Sequence, residues 1–346
     1  MIFKQVVKDA KKGMEGSNTG LPMGLPMLES IVNKVQRECY YLVAGKTSAG
    51  KTAFVDQCFV LAPFDHYMSI PEEQRDFKID WLYFSLEIAP VRKFTKISAR
   101  EMWRRYHVET SVAEILSQGD NELSPEKLEM LMSLDDYFQE FENHMHIYDA
   151  YDSPMKISNQ IHRFYAAHGE FVKRKGRTIY TPNHPNHYVI IIIDTINLVT
   201  PEDRQHLKGA IDQISKDMIW YRNICGATPV VCQQYNADIS DPKRFQQKRF
   251  EPIADDLEDS KRPSKDCNTY FSVFDPSEMG LRKSPGGYNL AKLGNKFRQI
   301  KVHKNRDGDR DIRTGCKFVG QIGAFEELPP AKDMTDEDYT NALKLI

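Results

Sequence analysis

The chain lacks a cysteine framework, a long apolar run and any large net charge. Its six cysteines (Cys39, Cys58, Cys225, Cys232, Cys267, Cys316) contain no C-x-x-C pair. That excludes a disulfide scaffold and fits a reducing interior. A zinc site lacks donors, because His184 and His187 have no cysteine or carboxylate beside them. No segment approaches the roughly 18–20 apolar residues that span a bilayer. Met1-Ile2-Phe3-Lys4-Gln5 carries a charge and no apolar stretch follows it, so it is not a secretory signal. These absences predict a cytoplasmic protein with no membrane partner. Repeats and low-complexity tracts are also missing.

What is present fits one large or two ordinary soluble domains: 346 residues, 40 % hydrophobic and 28 % charged. The net charge of -2 does not announce a polyanion partner. Charge is uneven, however. Arg282, Lys283, Lys292, Lys296, Arg298, Lys301, Lys304, Arg306, Arg310 and Arg313 stand against three Asp in one stretch. Such a surface suits a phosphate backbone or a neighbour's nucleotide; a merely solvated face reads the same way.

Residues 45–52 are Gly45-Lys46-Thr47-Ser48-Ala49-Gly50-Lys51-Thr52, a complete G-x-x-x-x-G-K-[ST] phosphate loop. An apolar run, Tyr40–Ala44, precedes it and a helix-like segment follows, which is the context the motif needs. Gly45 and Gly50 let the backbone turn its N–H groups inward around a phosphate. The helix N-terminus adds partial positive charge. Lys51 would reach the β- and γ-phosphates of ATP, and Thr52 would hold Mg²⁺.

Around this loop, apolar and helical periodicities alternate. Strands are predicted at 39–44, 80–86, 145–148, 189–193, 228–232, 270–274, 297–303 and 316–319. Helices are predicted at 1–15, 90–107, 124–145, 156–173 and 206–224. Residues 173–187 read as a polar loop. The pattern predicts an α/β fold with a mostly parallel central sheet flanked by helices. One core domain at 16–330 would carry a helical insertion at about 90–145, between a short helix at 1–15 and a tail at 331–346.

Three further strand ends carry chemistry. Val189–Ile193 delivers Asp194, placed to hold Mg²⁺ through water opposite Thr52. Phe84-Ser85-Leu86-Glu87 delivers Glu87, placed to polarise an attacking water; an acid near the N-terminus of the next helix is the plainer reading. Val230–Cys232 runs into Gln233 and Gln234, of which only one faces a given side. A Gln there can sense the γ-phosphate.

Together these pieces resemble the DnaB-type replicative helicases, a hexameric family with a RecA-like motor domain. Phe84–Glu87 is similar to the family's F-S-L-E motif, which carries the catalytic Glu. Ile193-Asp194-Thr195-Ile196-Asn197-Leu198 resembles I-D-Y-L-Q-L. Gln234-Tyr235-Asn236 stands where the family has Q-L-N, which favours Gln234 as the sensor. Asp256-Leu257-Glu258-Asp259-Ser260 resembles D-L-R-E-S, and Lys304-Asn305-Arg306-Asp307-Gly308 resembles K-x-R-N-G. The resemblance implies that Lys304 and Arg306 enter the neighbouring subunit's ATP site, Arg306 as an arginine finger. It also implies a ring on single-stranded DNA and a primase or loader partner.

Two departures stand out. Glu258 replaces the family's Arg in the segment leading to its DNA loop, where Lys261, Arg262 and Lys265 could supply the missing charge. The family's N-terminal collar is not expected here, and residues 1–15 are expected to serve as a linker helix for the adjacent subunit. That suggests a viral or mobile-element form, in which case the cytoplasm is the host's. A RecA/RadA-like recombination or loader ATPase and a non-catalytic nucleotide-gated scaffold are the alternatives. The F-S-L-E and K-x-R-D-G elements argue against the first, and the intact Lys51, Thr52, Glu87 and Asp194 against the second.

Overall fold

The computed structural model describes residues 2–14, 18–150, 152–241, 244, 246–247 and 249–344. Residues 1 and 15 of the expected linker, 16 and 17 of the break after it, and 345–346 of the tail lie outside the described residues. A nine-stranded sheet runs in the order β11-β10-β9-β8-β1-β7-β6-β2-β3. Six strands are mutually parallel: β8 (Thr269–Phe274), β1 (Tyr41–Gly45), β7 (Thr228–Gln234), β6 (His187–Asp194), β2 (Lys78–Ser85) and β3 (Met145–Tyr148). The strands β9 (Phe297–Asn305), β10 (Ile312–Val319) and β11 (Ala324–Glu327) extend one side as an antiparallel meander.

The continuous apolar runs follow from burial on both faces of the sheet. Along β6, Ile190 and Ile192 enter one core with Val43, Trp81, Tyr83 and Phe271. Val189, Ile191 and Ile193 enter the opposite core with Leu42, Phe84, Ile211 and Met218. The Leu207–Cys225 and Pro154–Ala167 helices supply the second layer. The helix after the phosphate loop lies in the first.

That helix is not uniform. It is α-helical at Lys51–Val55, π-helical at Asp56–Leu61 and α-helical again at Ala62–Ser69. Pro63 has no N–H to give the Phe59 carbonyl. The indole N–H of Trp81 donates to that carbonyl instead, at 2.6 Å. The wider turn accommodates the exchange.

Three sequence expectations need correcting. The helix expected at 156–173 ends at Ala167, and Gly169–Arg174 is a strand, β4. The expected loop at 173–187 contains its partner, β5 (Arg177–Pro182). Lys175 at φ 50° and Gly176 at φ 74° make the tight turn between them. Phe171 and Tyr180 pack this hairpin onto the helical layer; its Lys and Arg content hid the alternation. The helix expected at 124–145 is two, Pro125–Met132 and Asp135–His144, the first capped by Ser124. Residues 331–344 include a helix at Asp336–Asn341, and Tyr339 and Ala342 pack beside Leu290 and Phe297.

Candidate nucleotide site

Four parallel strands end side by side. Gly45 of β1 is level with Gln234 of β7, and Asp194 of β6 is level with Ser85 of β2. Because these strands run the same way, their C-terminal ends form one edge, where open α/β sheets hold ligands. The Leu86 N–H donates to the Asp194 carbonyl at 2.8 Å, which holds the next residue, exposed Glu87, beside Asp194.

The phosphate loop is braced from below. Ser48 and Gly50 take φ of 66° and 96°. A Cβ on Gly45 would meet the Val273 carbonyl at 3.0 Å, and one on Gly50 would meet the Phe318 and Phe325 rings at 3.1 Å. Lys51 is buried, Thr52 half-buried and Thr47 exposed. Lys46 turns outward to Glu278 at 2.8 Å. Buried Arg298, from β9, donates to the Ala49 carbonyl at 2.8 Å and pairs with Asp275 at 2.8 Å. Nothing in the local sequence marked Arg298 as the loop's support.

Asp194 sits almost wholly out of solvent. The Tyr83 hydroxyl lies 3.3 Å from its Oδ2, and its Oδ1 is buried with no hydrogen-bond partner among the described residues. An anionic oxygen left unsatisfied in a buried site calls for a cation or its water shell. Mg²⁺ fits that donor set, with Asp194 and the Thr52 hydroxyl as the residues that would hold it.

Asn197 was missed as a site residue, although it lies in the segment beginning at Asp194. Its Oδ1 accepts from the Gln234 N–H at 2.8 Å and its Nδ2 donates to Asp259 at 2.9 Å. Gln233 is fully buried, and its amide donates to the Glu258 and Ser260 carbonyls at 2.7 and 2.6 Å. Gln234 is the more open of the two. The Glu258 carboxyl is pushed up by burial and by Asp259, and pulled back by Lys51, so it lies within electrostatic reach of the phosphate loop.

Lys304 and Arg306 are not brought to this edge. Lys304 pairs across from Tyr270, level with Leu42 near the start of β1, whereas the phosphate loop leaves from its end. The Lys304 Nζ donates to the Ser264 and Lys265 carbonyls at 3.0 and 2.7 Å. The Arg306 N–H donates to the Asn268 carbonyl at 3.1 Å. Lys261 pairs with Asp255 at 2.8 Å, Arg262 with Asp266 at 2.7 Å, and Lys265 is exposed.

The basic stretch is less of a surface than its composition implied. Arg298 and Lys301 are buried. Lys301 and Arg313 both pair with Glu251. Burial pushes the Glu251 carboxyl up, but Arg313 and Lys301 hold it down at about 2.

No family model and no curated protein matches the sequence. Solved structures do. The chain is similar to a solved ATPase domain, at 18 % identity and a TM-score of 0.67, over 95 % of this chain and 99 % of that one. It is also similar to a DnaB-like replicative helicase described with its interactions with primase. There the identity is 17 % and the TM-score 0.64, over 92 % of this chain and 66 % of that one. The sheet, its flanking helices and the phosphate-loop edge thus form the fold of a DnaB-like helicase ATPase domain.

Proposed function

We propose that this chain is an ATP-dependent DNA helicase that forms a ring, a hexamer, and translocates on single-stranded DNA. The observation that carries the reading is the opposed placement of two half-sites. Gly45–Thr52, Glu87, Asp194 and Gln234 share one sheet edge, while Lys304 and Arg306 lie toward the other end of the strands. In this reading a second copy brings the two halves together.

In this reading the loop N–H groups and Lys51 bind the β- and γ-phosphates of ATP. Mg²⁺, held by Thr52 and Asp194, neutralises phosphate charge. Glu87 orients the attacking water and Gln234 senses the γ-phosphate. Arg306 and Lys304 of the next subunit stabilise charge in the transition state. Lys265, with Lys261 and Arg262 once released from their acids, contacts the DNA backbone. The Ile2–Met14 helix exposes Phe3 and Val6 and serves as the clip to the adjacent subunit. A primase or loader is the expected further partner, and the cytoplasm, the host's for a viral form, the expected location.

The test is ATP hydrolysis by the purified chain with and without single-stranded DNA, with particle imaging in a non-hydrolysable ATP analogue. Stimulated hydrolysis and closed rings support the reading. A monomer whose hydrolysis ignores DNA overturns it. Unwinding of a forked duplex separates a helicase from a RecA/RadA-like recombinase.

A further inference from the structure

A buried polar chain runs from the Pro90–Tyr106 helix to Asp194, and no sequence motif announced it. Lys93 is 4 % exposed. Its Nζ donates to Asp56 Oδ1 and Oδ2 at 2.9 and 3.0 Å and to the Tyr83 hydroxyl oxygen at 2.7 Å. That hydroxyl lies 2.9 Å from Asp56 Oδ1 and 3.3 Å from Asp194 Oδ2. Tyr83 and Asp194 are fully enclosed.

The proton count decides how the chain works. A phenol has one proton and here two carboxylates within reach. Asp56 already receives ammonium protons on both oxygens. The Lys93 ammonium also fills an acceptor position on the phenol oxygen. Each carboxylate oxygen can accept a second hydrogen bond, so the phenol stands between Asp56 Oδ1 at 2.9 Å and Asp194 Oδ2 at 3.3 Å, and the ammonium, by neutralising Asp56, favours the Asp194 side. A further side chain beside this carboxylate is the Cys232 thiol, a weak donor whose own ionisation is suppressed by burial and by Asp194. With Oδ2 held, Oδ1 is left buried without a hydrogen-bond partner among the described residues.

We propose that Tyr83 is a positioning residue for the metal-binding carboxylate Asp194, and that Lys93 and Asp56 set the direction of its hydroxyl. The relay rests on the nucleotide reading above. It joins three parts of the site. Asp56 lies one helical turn after Thr52, Asp194 ends β6, and Lys93 lies in the first turns of the helix that follows Glu87. Movement of that helix would be felt at the metal carboxylate.

The test measures metal binding rather than turnover. Full-length protein is titrated with Mn²⁺ in a non-hydrolysable ATP analogue, with free Mn²⁺ read by electron paramagnetic resonance. Analogue binding is measured separately in a chelator. Partners that orient a metal ligand are worth roughly 10-fold or more in metal affinity. Tyr83→Phe is expected to weaken Mn²⁺ by about that factor and leave metal-free analogue binding unchanged. Lys93→Met should reproduce the defect, because Asp56 then competes for the phenol proton. Lys93→Arg should recover most of it, and Tyr83→Phe with Lys93→Met should be no worse than Tyr83→Phe alone. If Tyr83→Phe does not fold, the two Lys93 variants carry the test. Wild-type Mn²⁺ affinity in Tyr83→Phe or Lys93→Met overturns the relay, as does an equal loss of metal-free analogue binding. A wild-type chain that binds analogue but no Mn²⁺ also overturns it. A wild-type chain that binds no analogue at all overturns the nucleotide reading itself.

Discussion

The Lys304 ammonium lies 2.7 Å from the main-chain oxygen of Lys265. This contact ties the hairpin expected to enter a neighbour's nucleotide site to the segment expected to meet DNA. Burial lowers the Lys304 pKa from its ordinary value, so the ammonium is partly desolvated where it rests. A cation seated on carbonyls of its own chain must leave them to reach a phosphate elsewhere.

If Arg306 acts in trans, its loss can be complemented. Arg306→Ala should keep nucleotide affinity and lose hydrolysis by about 10³-fold or more. Lys51→Ala should be inactive through the opposite half of the site. Mixing the two inactive chains should restore a fraction of wild-type hydrolysis, since some interfaces then join an intact loop to an intact finger. A mixture as dead as its components excludes action between subunits.

Glu87 and Lys51 should fail differently. Glu87→Gln keeps the shape and removes the charge, so an ATP analogue should still bind while turnover falls by about 10²-fold or more. Lys51→Ala should weaken binding as well. Equilibrium binding set beside single-turnover hydrolysis separates the two. Full turnover in Glu87→Gln would remove it from the chemistry.

A side chain at Gly50 would be both strained and crowded. The φ of 96° and the two rings at 3.1 Å both oppose a methyl group. Gly50→Ala should cost about 1–3 kcal/mol of stability. The same change should loosen the loop that holds phosphate. Thermal unfolding with and without ATP analogue should show a lower midpoint and a smaller ligand-induced rise.

Acid should destabilise the fold through His303 first and Glu251 next. Burial, and then Lys301, lower the His303 imidazole from 6.5 to about 4, with its Nε2 2.8 Å from the Ser272 hydroxyl. A base that is harder to protonate when folded adds stability above its unfolded pKa, and loses it as pH falls toward the folded value. His303 therefore acts between about pH 6.5 and 4, at an upper limit of about 3 kcal/mol. Glu251, held at about 2 against an ordinary 4.5, adds stability that is lost between those values. Urea unfolding across pH should show a shallower slope from 6.5 to 4 in His303→Gln. An unchanged slope would mean that His303 takes up its proton as readily folded as unfolded.

The sequence by itself determined the phosphate loop, because close backbone approach to a phosphate demands glycine at fixed spacing and leaves few alternatives. It also determined the central strands, because burial on both faces requires continuous apolar runs. Local pattern was enough to pair Asp194 with the end of β6 and Glu87 with the end of β2. It misjudged 169–182, where charged residues on the open face of a hairpin resemble a loop.

Tertiary structure decided what depends on distant pairing. Arg298 braces Ala49 from 249 positions away, and Lys93 meets Asp56 across 37 positions. Gln233 turns inward to staple a loop, leaving Gln234 the more open. The inward turn of Lys301 was invisible for the same reason: Glu251, which neutralises Lys301 and Arg313, lies outside the basic stretch. Which side chains share a carboxylate or a proton is a property of packing, and composition carries no record of it.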